Sequence, residues 1–115
     1  MASREGHARF AGWLLSVAQR SLESGDYAAA ISSAVRGLEE VIDAYAAEDD
    51  LHFHDDYPGA AWARRQEWLR SNRSEFDEAL HRFITTLVFL AAGKDGKLVE
   101  ERITDFRSLV AELSS

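Results

Sequence analysis

Apolar residues recur every three or four positions along most of the chain, which is the spacing of amphipathic helices. The spacing predicts five helices. The predicted buried stripes are Phe10, Trp13, Leu14, Val17 and Leu22 in the first; Tyr27, Ile31, Ala34, Val35, Leu38, Val41, Ile42 and Tyr45 in the second; Phe76, Leu80, Phe83, Ile84, Leu87 and Val88 in the fourth; and Val99, Ile103, Phe106, Val110 and Leu113 in the fifth. The third predicted helix carries Trp62, Trp68 and Leu69 without such a stripe.

Polar and conformationally special residues set the predicted ends of these helices. The predicted bounds are 4–24, 27–47, 58–70, 74–92 and 98–113. Ser3, Asp26 and Ser74 are suitable N-cap residues. Gly25 can adopt the left-handed conformation that ends a helix, and Pro58 suits a first helical turn. The short Ser-Gly-Asp connection predicts that the first two helices form an antiparallel hairpin.

Length and composition fit one small helical domain. The chain has 115 residues, of which 46% are hydrophobic, and one proline. That length suits a single core rather than two. We therefore predict an all-α, single-domain up-and-down bundle, covering residues 1–115, of four long helices and one short helix.

Charge is acidic overall and unevenly distributed. The net charge is −7, which opposes nonspecific binding to RNA or DNA. Residues 39–56 contain eight acidic residues and no Lys or Arg, whereas residues 60–73 contain four arginines and one acid. We expect the two segments to be solvated or to pair with each other in the fold. Without an apolar run of about 20 residues, the sequence predicts a soluble, cytoplasmic protein that does not enter a membrane.

The segment His52-Phe53-His54-Asp55-Asp56 has the residue types of a metal site. Two histidines one residue apart share a face in extended chain, and with a carboxylate they could bind Zn²⁺ or Fe²⁺. The favoured alternative is a polar loop whose aspartates cap the third helix, and a third is a surface for a partner or ligand. The chain has no cysteine, so a thiolate zinc site is excluded. We predict no cofactor.

The third helix and its flanks carry the other candidate binding residues. Trp62 and Trp68 lie six positions apart and cannot point the same way, so we expect one to be buried and one to face a partner. The candidate partner or ligand surface comprises His52, His54, Trp62, Arg65, Trp68, Arg73 and His81. An alternative is weak ribonuclease activity or RNA binding through Arg70, Arg73 and His81, with the histidine moving a proton.

The segment SLESGDYAAAISSAVRGLEEVIDAYA (21–46) resembles the first hairpin of the HEPN superfamily, and FDEALHRF (76–83) resembles a later helix of its archaeal branch. The resemblance extends over residues 10–113. It implies a helical bundle that is commonly dimeric. Many members are ribonucleases of toxin–antitoxin or defence systems, and others assist a nucleotidyltransferase without catalysis.

The catalytic signature of the nuclease members is missing. In those members an arginine is followed, after four to six residues, by a histidine, and no arginine–histidine pair here has that spacing. The chain also lacks a nucleophile elbow and a phosphate-binding glycine loop. We therefore expect a non-catalytic homodimer that acts through protein–protein or ligand binding, in a toxin–antitoxin or nucleotidyltransferase-associated system.

Overall fold

The protein is an all-α helical bundle. A computed structural model describes residues 3–53, 58–91 and 96–114. Its helices are α1 (Arg4–Glu23), α2 (Tyr27–Glu48), α3 (Pro58–Asn72), α4 (Ser74–Ala91) and α5 (Lys97–Ser114). Within the described ranges, no helix is both long and apolar enough to cross a membrane.

Local chemistry fixes the α1–α2 hairpin as the sequence predicts. The Ser3 hydroxyl accepts a hydrogen bond from the amide of Gly6, and the Asp26 carboxylate accepts one from the amide of Ala29. Between the helices Gly25 has φ = 80°, a conformation that glycine adopts without steric cost. The predicted N-caps of α1 and α2 and the left-handed glycine are confirmed.

Helix α2 is the centre of the bundle. It packs along α1 and also contacts α4 and α5, whereas α3 packs on α4. Gly37 allows one close approach: a Cβ atom there would lie 2.0 Å from Cζ of Phe106 on α5. Because α2 is covered on several sides, polar residues in its second half are buried together with its apolar ones.

The buried face of α1 differs from the predicted one. His7, Ala11, Leu14 and Ala18 are buried, whereas Phe10 and Trp13 are 40% and 58% exposed. The two alanines let α1 lie close against α2, and this rotates the bulky aromatic residues outward. The prediction that Phe10 and Trp13 belong to the core is therefore wrong.

Helix α3 is the shortest helix and forms a second, small core. It begins at Pro58, as predicted, and ends two residues later than predicted. Ala46, Phe53 and Ala61 are buried together there, with Leu51 and Trp68 packed against them. This cluster attaches α3 to the second half of α2, beside the acidic residues of that helix.

Candidate functional site

Three acidic residues of α2 lie side by side near the α1 and α3 surfaces. Glu40 and Asp43 are buried, with 4% and 3% of their surfaces exposed, and Glu39 is half-buried. Buried carboxylates require ionic or hydrogen-bond partners to offset the loss of hydration. These partners come from three different helices.

The partner from α1 is His7. Its Nδ1 atom donates a hydrogen bond of 2.5 Å to Oε2 of Glu40, and both side chains are buried. The antiparallel hairpin brings these residues together because they lie about equally far from its turn. The other oxygen of Glu40 accepts a hydrogen bond of 2.6 Å from Arg36, one turn earlier on α2. Glu40 is thus held from both sides.

The partner from α3 is Arg65. Its Nε and Nη2 atoms donate hydrogen bonds of 3.0 and 3.3 Å to the two carboxylate oxygens of Asp43. Its Nη1 atom donates one of 3.2 Å to Glu39. Arg65 itself is buried, and its guanidinium lies 5.6 Å from the centre of the Phe53 ring. The acidic and basic segments of the sequence therefore do pair with each other here.

The electrostatics of this cluster favour extra positive charge. Burial raises the pKa of the Glu39 carboxyl above its usual value. The nearby Arg65 and Arg36 oppose that rise, and the neighbouring Asp43 and Glu40 carboxylates add to it. A carboxyl group with a perturbed pKa beside a cleft marks a candidate functional site.

A groove between α2 and α3 opens onto the cluster. Its volume is about 330 Å³, and it is lined by Arg36, Glu39, Asp43, Pro58, Ala61, Trp62 and Arg65. Arg36 also lies over the Phe10 ring, 5.3 Å from its centre, and Trp13 packs beside Phe10 at 5.8 Å between ring centres. Arg36 therefore joins the groove to the exposed aromatic pair of α1.

The structure divides the predicted partner surface among several places. Trp62 and Arg65 line the same groove, with Trp62 exposed. Trp68 packs partly buried against Phe53, at 6.3 Å between ring centres. Trp68 is thus the partly buried tryptophan of α3 and Trp62 the exposed one, and the expectation that one of them faces a partner stays a prediction.

Arg73 and His81 lie away from this groove. The Arg73 guanidinium is stacked over the rings of Tyr45 and Phe76, at 4.3 and 4.7 Å, and its Nε donates a hydrogen bond to Glu75. His81 is exposed, and its Nδ1 donates a hydrogen bond to the backbone carbonyl of Asp77. Arg73 therefore ties the α3–α4 junction to α2.

Of the predicted histidine pair, only His52 belongs to the described residues. The Nε2 atom of His52 lies 3.2 Å from a carboxylate oxygen of Asp50. His54, Asp55 and Asp56 lie outside the described residues, so the metal and helix-capping predictions at this loop stay predictions. A different histidine, His7, is the one brought together with two carboxylates.

Sequence reasoning missed most of the buried cluster. Arg36, Glu39, Glu40, Asp43 and His7 were not among the candidate site residues, although Arg65 was. The sequence signal for this cluster is the presence of acidic residues within the broad apolar face of the second helix. Such acids must be buried and must find partners.

Comparison with known proteins yields no relative: no family model, no curated protein and no solved structure matches the chain. The resemblance to the HEPN superfamily stays a prediction.

Proposed function

We propose that the protein is a non-catalytic binding module of the HEPN-like, up-and-down type, which forms a homodimer through the α1–α2 face. We define the aromatic surface as Phe10, Trp13, Arg36 and Trp62. The observation that carries the proposal is the continuity of this surface, in which Arg36 contacts Phe10 and lines the groove beside Trp62.

The residue types of the aromatic surface are those that dominate binding energy in protein interfaces. Trp, Tyr and Arg are enriched among the residues whose truncation costs most. Burying an aromatic side chain removes a large apolar area from water. A side-by-side pair of exposed aromatic residues on one helix, as at Phe10 and Trp13, is therefore best explained by a partner that covers it.

The charges beside the aromatic surface suit a second copy of the same chain. Arg36 is half-exposed, and Glu39, on the next turn of the same helix, is partly exposed. In the proposed dimer the twofold axis passes between Arg36 and Glu39 and so sets Arg36 of one copy near Glu39 of the other, because an isologous interface uses the same patch twice. The aromatic surface thus offers a second copy both apolar contacts and complementary charges.

Catalysis is not part of the proposal. Two residues of the ribonuclease alternative already contact neighbouring residues of the bundle. Arg73 contacts Tyr45, Phe76 and Glu75, and His81 contacts Asp77. A role beside a toxin or a nucleotidyltransferase belongs to the proposal through the HEPN resemblance only.

The test is the oligomeric state of the wild type and of Trp13→Ser, measured by sedimentation or light scattering against the chain mass of 12.9 kDa. We expect the wild type at twice that mass and the variant at the monomer mass over micromolar concentrations. Phe89→Ser is the matched control, because Phe89 is a similarly exposed aromatic residue on α4. A monomeric wild type, or dissociation by Phe89→Ser but not by Trp13→Ser, contradicts the proposal.

A further inference from the structure

We propose that His7, Glu40 and Asp43 form a binding site for one divalent transition-metal cation of the Zn²⁺, Mn²⁺ or Fe²⁺ class. One ligand atom from each of these three buried side chains lies within 4.8 Å of the other two. The site is distinct from the His52–His54 segment that the sequence indicated, and it does not rest on the proposed dimer.

The donor set suits a borderline divalent cation. An imidazole and two carboxylates are ligands for Zn²⁺ and for Mn²⁺ or Fe²⁺, while softer ions prefer sulfur. Two ligand atoms of a tetrahedral cation stand about 3.4 Å apart when each bond is about 2.1 Å long. The Nδ1 atom of His7 and Oε2 of Glu40 are 2.5 Å apart, so this contact must open by roughly 1 Å for a cation to replace the bridging hydrogen.

Arg36 and Arg65 occupy the positions of groups that orient the ligands of a metal site. Arg36 donates to Oε1 of Glu40 and leaves Oε2 to the His7 side. Arg65 donates to both oxygens of Asp43, and each of those oxygens has a second lone pair. Hydrogen bonds to ligating carboxylates orient them and are a regular part of metal sites.

The local charge balance favours a cation. Three carboxylates, those of Glu39, Glu40 and Asp43, face the two guanidinium groups of Arg36 and Arg65. When His7 is neutral, as a metal ligand must be, the cluster carries one excess negative charge. Burial makes that charge costly, and a bound cation offsets it.

The groove offers room for the remaining coordination positions. Asp43 belongs to the cluster and also lines the groove of about 330 Å³. Three protein ligands leave one position of a tetrahedral cation for water or a small anionic group. Metal sites with such an open position are the ones able to bind a further ligand.

The experiment is calorimetric titration of chelator-treated full-length protein with Zn²⁺ and with Mn²⁺ at neutral pH, together with thermal unfolding. We expect one cation per chain and a raised Tm in its presence. His7→Asn keeps an N–H donor toward Glu40 but loses the imidazole ligand, and we expect it to weaken binding at least tenfold. The double variant His52→Asn/His54→Asn tests the rival segment and should bind as the wild type does.

A measurement on the wild type makes the test independent of any variant's folding. Paramagnetic Mn²⁺ should broaden the backbone amide signals of His7, Glu40 and Asp43 before all others. Broadening centred on residues 48–52 would overturn the proposal. So would the absence of binding heat and of a Tm shift, loss of binding in the double variant, or an affinity of His7→Asn within twofold of the wild type.

Discussion

Replacing Arg65 by Met tests whether the α3 arginine compensates the buried charge of α2. Asp43 is 3% exposed and receives two of the hydrogen bonds of Arg65, at 3.0 and 3.3 Å. Methionine keeps most of the apolar length and removes the guanidinium. Removing one partner of a buried ion pair costs about 3–5 kcal/mol, because a charge is left without compensation. That is a large share of the ~5–15 kcal/mol that stabilises a typical domain.

The assay is urea denaturation followed by circular dichroism, with the free energy of unfolding extrapolated to water. Arg70→Met is the matched control, since Arg70 lies on the same helix and is exposed; we expect a change within about 0.5 kcal/mol. The double variant Arg65→Met/Asp43→Leu should recover most of the loss, because replacing both partners with apolar groups is often neutral. A loss below about 1 kcal/mol in Arg65→Met, or a double variant no more stable than the single one, would refute the reasoning.

Two further predictions concern the glycines and the pH dependence. Gly37→Ala should lower the free energy of unfolding by about 1–3 kcal/mol, because the new Cβ would lie 2.0 Å from Cζ of Phe106. Gly12→Ala should raise the free energy of unfolding by about 0.5–1 kcal/mol, because the new Cβ would meet no neighbouring residue within 4 Å. Urea titrations of both variants check this, and equal losses at the two positions would contradict it. The raised pKa of Glu39 means that the folded state binds the Glu39 proton more tightly than the unfolded state does. The contribution of Glu39 to stability is therefore fully present at low pH and is lost as the pH rises through the raised pKa. Glu39→Gln should therefore gain stability relative to the wild type as the pH rises above the ordinary pKa of a glutamate, and a falling difference would show the opposite sign.

Much of the fold follows from local signals in the sequence. The caps at Ser3 and Asp26, the left-handed Gly25 and the helix start at Pro58 each depend on the chemistry of one or two residues. Such signals act within a few residues and need no knowledge of packing. The observed helices accordingly lie within a few residues of the predicted ones.

The buried face of α1 could not be predicted from hydrophobicity, because its contact with α2 uses small residues. Periodicity places Phe10 and Trp13 in a stripe, but the helix turns Ala11 and Ala18 inward instead. Two alanines permit a short distance between helix axes, which large aromatic rings between the helices would prevent. Helix α1 has two overlapping apolar stripes, one with Phe10 and Trp13 and one with Ala11 and Ala18. The partner helix decides which stripe is buried, and the spacing of residues within α1 does not contain that information.

The polar cluster was hidden from the sequence for a related reason. His7, Glu40 and Arg65 belong to three helices, and only the tertiary arrangement brings them together. No spacing rule connects residues so far apart along the chain. The acidic segment beside a basic one indicated that pairing would occur, but not which side chains would be buried by it.

The position of the cluster makes a purely stabilising role a poor explanation. Replacing a buried ion pair by apolar residues is often neutral or favourable for stability, so such a network is weak evidence of stabilisation. Here it borders a groove that opens between α2 and α3. Arg36 connects that groove directly to the exposed pair Phe10 and Trp13. Buried charge, accessible space and exposed aromatic side chains thus converge on the α2 surface, and we infer that binding at that surface explains the presence of all three.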